Sequence, residues 1–83
     1  MTNKQIIERF GNALRWFNKA STLEIVKTQF NVMIDTVSVK FADDWKRYVK
    51  ISEDISEIYV NGTDEERRLI DEVIKKVDRE RVK

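Results

Sequence analysis

The chain has 83 residues, 41% hydrophobic and 37% charged, with a net charge of +1. That balance is apolar enough for one small folded domain over residues 1–83, and too near neutral for an acidic nucleic-acid mimic or a strongly basic nucleic-acid binder. Cysteine and histidine are both absent, which excludes disulfides, thiolate chemistry and imidazole ligands or bases.

The opening residues Met1–Gln5 lead into a charged amphipathic stretch rather than the apolar core of a signal peptide. No run approaches the roughly 20 apolar residues of a membrane span. The expectation is a cytoplasmic protein with no membrane contact.

The first helix is expected from Lys4 to about Lys19, where Ile6, Ile7, Phe10, Leu14 and Phe17 recur at three- and four-residue steps. Thr2 or Asn3 would cap it. Gly11 lies inside, at about 1 kcal/mol relative to alanine, and allows a neighbouring element to pack closely.

From Gly11 to Gly62 the chain contains no further glycine, and proline is absent throughout. Tight hairpin turns therefore have little to build on across this stretch. Ser21-Thr22-Leu23-Glu24 matches a capping box and starts a second helix. A helical stripe follows through Leu23, Val26, Phe30, Met33, Ile34, Val37, Phe41, Trp45, Tyr48 and Val49, and continues into Ile55, Ile58 and Tyr59. Read this way, Phe30, Val37, Phe41, Trp45 and Tyr48 look inward together. A single helix of that length is atypical of a small domain, so a break is expected at Ala42-Asp43-Asp44, with Ser52 as the second candidate.

A competing pattern runs through the same residues. Val26, Thr28, Phe30, Val32 and Ile34 alternate with polar neighbours, as do Val37, Val39 and Phe41, which fits strands. Such strands would have to turn at Asp35-Thr36 and near Asp43-Asp44 without glycine, so helix is preferred.

The last helix has the clearest signals. Asn61-Gly62 ends the preceding element, with Gly62 expected as a left-handed cap. Thr63-Asp64-Glu65-Glu66 is a second capping box with acids in the first turn, where the helix dipole favours them. Leu69, Ile70, Val73, Ile74 and Val77 form the apolar stripe, and the bases from Lys75 to Lys83 load the far end. Asp78 and Glu80 interrupt those bases, so the segment reads as a dipole-matched helix end rather than a phosphate contact.

The predicted fold is all-α, a compact three- to four-helix bundle. The alternative is α+β, with a small antiparallel sheet within residues 26–51 packed by N- and C-terminal helices.

Nothing in the chain spells out catalysis. Ser21, Ser38, Ser52 and Ser56 have no histidine to activate them. Asp43 and Asp44, with Asp54 or Asp35, lack the spacing of a cation-binding loop. No catalytic residue, metal ligand or cofactor is expected. Trp16, set among Arg15, Phe17 and Lys19, is placed at the edge of the buried stripe as a contact anchor. Val32 and Val39, seven residues apart, make a second apolar line suited to contact with another chain. Tyr59 completes the candidate partner-binding set of Trp16, Val32, Val39 and Tyr59. The expected function is a non-catalytic interaction module that regulates or inhibits a larger protein and can self-associate. The alternative is a DNA-binding regulator with a helix-turn-helix-like arrangement. It is disfavoured because Gly62 opens onto an acidic helix start.

Overall fold

A computed structural model describes residues 1–30 and 38–81. Within them lie four helices: α1 (Asn3–Lys19), α2 (Thr22–Gln29), α3 (Val39–Asn61) and α4 (Asp64–Arg81). No strand occurs among the described residues. The all-α bundle is the fold, and the α+β alternative is set aside.

Local chemistry starts three of the helices. Thr2 Oγ1 accepts the Gln5 N–H at 3.2 Å, while Gln5 Oε1 accepts the Thr2 N–H at 3.0 Å, closing a capping box on α1. Ser38 Oγ accepts the Phe41 N–H at 3.1 Å and starts α3. At α4 the expected box forms, with Thr63 Oγ1 accepting the Glu66 N–H and Glu66 Oε1 accepting the Thr63 N–H.

Several expectations fail for local reasons. Ser21 stands at the N-cap of α2, but its side chain makes no capping bond. The long apolar stripe breaks before Ser38 rather than at Ala42-Asp43-Asp44, because Ser38 supplies the cap and α3 then runs unbroken to Asn61. Ser52 also fails to interrupt α3, since its hydroxyl donates to the Tyr48 carbonyl one turn back at 2.8 Å. Gly62 is extended at φ −85°, ψ −174°, not left-handed. A glycine is still required there, because a Cβ would overlap the Ile58 carbonyl oxygen and meet Glu66 Oε1 at 2.9 Å.

Helices α1, α3 and α4 form the bundle, with α1 packed against both others. The contact between Asn3 and Glu66 near the starts of α1 and α4, and that between Arg15 and Glu80 further along, make these two helices parallel. Phe17 of α1 stacks on Tyr48 of α3, while Ile7 and Phe10 share a buried cluster with Ile55 and Ile58, so α1 and α3 run antiparallel. Ile70 of α4 completes that cluster and is only 2% exposed. Gly11 is buried, and a Cβ there would stand 3.1 Å from Val73 Cγ1; its bareness lets α1 and α4 approach closely.

Helix α2 is different. It touches α3 but holds no buried residue. Leu23, Val26 and Phe30, expected to look inward, are 62%, 41% and 77% exposed. The inner side of α2 is instead the half-buried Ile25 and Thr28. With its break placed so early, the stripe never becomes one helix, and α2 is rotated independently of α3. Val37 lies outside the described residues.

Candidate interaction surface

One end of the bundle is mainly aliphatic, with Phe10 its one buried ring, and the other is aromatic. At the aromatic end, Phe17 stacks on Tyr48 with centroids 4.8 Å apart and planes 14° apart. Trp16 lies 5.3 Å from Phe41 and 6.0 Å from Tyr48, and Trp45 lies 5.7 Å from Tyr48. Only Phe41 of these five rings is buried; the others keep an exposed part.

Beside the cluster, α1 and α3 enclose an open groove of about 890 Å³. Its apolar lining is Met1, then Ile6, Ala13 and Trp16 from α1 with Tyr48 and Ile51 from α3. Residues 6, 9, 13 and 16 share one face of α1, and residues 44, 47, 48 and 51 share one face of α3. No α4 residue lines the groove, so it occupies a side of the α1–α3 pair that α4 leaves uncovered. Ala13, with a single methyl, sits on the α1 side one turn before Trp16.

Charged side chains line the groove as well. Lys50 Nζ pairs with Asp54 Oδ1 at 2.8 Å, and that hydrogen bond raises the lysine pKa. Arg9, Lys46 and Arg47 also line the groove, and among the described residues they form no ion pair; Asp44 is the one further acid. The charged lining is therefore net positive.

Away from the groove, Arg15 grips Glu80 in a two-point contact, Nε to Oε2 at 2.7 Å and Nη2 to Oε1 at 3.1 Å. Nη1 donates to Asn12 Oδ1 at 3.0 Å. The Glu80 hydrogen bond raises the arginine pKa further. Glu80, an interruption in a basic tail when read along the chain, is the anchor of α4 on α1.

The four residues singled out by sequence do not share one surface. Trp16 lines the groove. Val39 is exposed at the start of α3, and Tyr59 is exposed near its other end, about 30 Å away at 1.5 Å per residue. Val32 lies outside the described residues. Periodicity missed Ile6, Ala13 and Ile51 as groove residues, because it marks a helix's apolar face without saying which neighbour is absent. The exposed face of α2 was missed for the same reason.

Among the described residues no group of three or more acidic side chains is placed to hold a metal ion. Asp44 and Asp54 are ten residues apart on α3, about 15 Å along the axis, too far to share a cation. No described helix is long and apolar enough to cross a membrane. Comparison with protein-family models, with curated proteins and with solved structures returns no significant match.

Proposed function

We propose that this chain is a non-catalytic interaction module whose α1–α3 groove receives an amphipathic helix from a larger protein, which it regulates or inhibits. The groove carries this reading. Two antiparallel helices lined by Ile6, Ala13, Trp16, Tyr48 and Ile51 offer the seat that a fourth helix takes in a bundle. Ala13 lets an incoming backbone approach, and Trp16 and Tyr48 supply the large amphipathic contact area that dominates such interfaces. Arg9, Lys46 and Arg47 favour a helix flanked by acidic residues. A chain without cysteine suits action in the reducing cytoplasm.

A nucleic-acid role has less support. Arg15, one of the bases that make the N-terminal segment positive, is engaged by Glu80, and Asp44 and Asp54 lie among the groove's bases. Retention on nonspecific DNA at low salt, lost steeply as salt rises, would revive it.

The direct test is affinity capture from the native host, comparing the wild type with Ala13→Trp and Arg47→Glu. A partner held by the wild type and lost from both variants, at unchanged melting temperature, supports the groove. Equal capture by all three folded proteins rejects it.

A further inference from the structure

We propose that a second copy of this chain covers α2, the two α2 helices crossing antiparallel about a two-fold axis near Val26. Leu23, Val26 and Phe30 fall at i, i+3 and i+7, a single stripe on the side of α2 turned away from Ile25 and Thr28. A short helix with no buried residue has little stability of its own, and this one displays its apolar face outward. Like pairs with like there. Antiparallel crossing at Val26 sets Leu23 of each copy beside Phe30 of the other, the self-complementarity that a two-fold interface demands.

Charge and area agree with that occupant. Glu24 is in the first turn of α2 and Lys27 in the last. An antiparallel two-fold puts Glu24 on the same flank as the partner's Lys27, so opposite charges meet and like charges separate. The chain exposes 6361 Å², whereas a folded monomer of its 9.9 kDa exposes about 5,200 Å² by the usual size scaling. The molecule as a whole therefore carries more surface than a monomer of its size usually does. Its radius of gyration, 14.1 Å, likewise exceeds the roughly 12 Å of a globule of this length.

The test combines mass with cross-linking on the full chain. Size-exclusion chromatography with light scattering, run from about 1 µM to 1 mM to span weak and tight dimers, should show the mass rising from 9.9 kDa towards twice that value. Because the chain has no cysteine, Val26→Cys should form a covalent dimer under mild oxidation, while Val60→Cys on α3, more exposed at 73% against 41% for Val26, should not. Phe30→Asp should remain monomeric with an unchanged circular dichroism spectrum, since Phe30 is 77% exposed and caps α2 with its backbone alone. A monomer at every concentration overturns the proposal, as does a dimer that survives Phe30→Asp or cross-links through Val60→Cys instead. The outcome is independent of the groove: Ala13→Trp should abolish helix capture and leave this dimer intact.

Discussion

The two ends of the bundle are built from different side chains, and they bury them to different degrees. At the aliphatic end, Ile7, Phe10, Ile55, Ile58 and Ile70 come from three helices and close over one another. At the aromatic end, Trp16, Phe17, Phe41, Trp45 and Tyr48 come from only two helices, with the eight-residue α2 nearby. Branched aliphatic chains on three converging helices interdigitate to native density. Flat rings spanning two helices cover one another face to face or at a tilt, yet leave their outer edges to solvent. A short chain can thus hold its fold with one end and present apolar surface with the other.

The largest contrast should come from truncating each end. Ile70→Ala removes a side chain 2% exposed in the centre of the three-helix core, and should cost about 2–5 kcal/mol in urea denaturation. Trp45→Ala, at a half-buried ring, should cost about half as much despite the larger side chain. Equal losses would erase the distinction between the ends. Next come the caps. Thr63→Ala should cost about 1 kcal/mol, because it opens the box at the start of α4. Ser21→Ala should change stability by only a few tenths, since Ser21 makes no side-chain capping bond.

Smaller effects sharpen the picture. Glu80→Gln, which weakens a partly exposed contact to Arg15, should lose about 0.5 kcal/mol at low salt and less at high salt. At the aliphatic end the Thr63 backbone N–H, and then the Asn3 side-chain amide, hold the Glu66 carboxyl below its ordinary pKa. A group depressed in the folded state stabilises fully above its unfolded pKa and loses that contribution as pH falls through the folded value. Wild type should therefore lose more stability than Glu66→Gln between pH 7 and pH 3, with denaturation midpoints as the readout.

The helices themselves were legible wherever periodicity and end chemistry coincided. Thr63 to Glu66 announced α4, and the spacing of Ile6 to Phe17 announced α1. Gly11 was rightly read as room for a neighbour, which proves to be Val73. The middle was harder, because without glycine or proline the apolar stripe carried no mark of where it stopped. Leu23, Val26 and Phe30 continue the phase of Phe41 and Tyr48 along the sequence, yet the early break frees α2 to turn them outward. The groove was illegible for a further reason. A stripe shows which side of a helix is apolar, and only packing shows that α4 leaves part of the α1–α3 surface uncovered.

Native-state hydrogen exchange, followed residue by residue at several protein concentrations, tests most directly whether one end is closed and the other awaits company. Amides of α1, α3 and α4 around Ile7, Ile55, Ile58 and Ile70 should open only with global unfolding. Those of α2 should exchange far faster in dilute protein and slow as concentration rises. If α2 amides were as protected as those of α4 in dilute solution, with no dependence on concentration, the account would be contradicted.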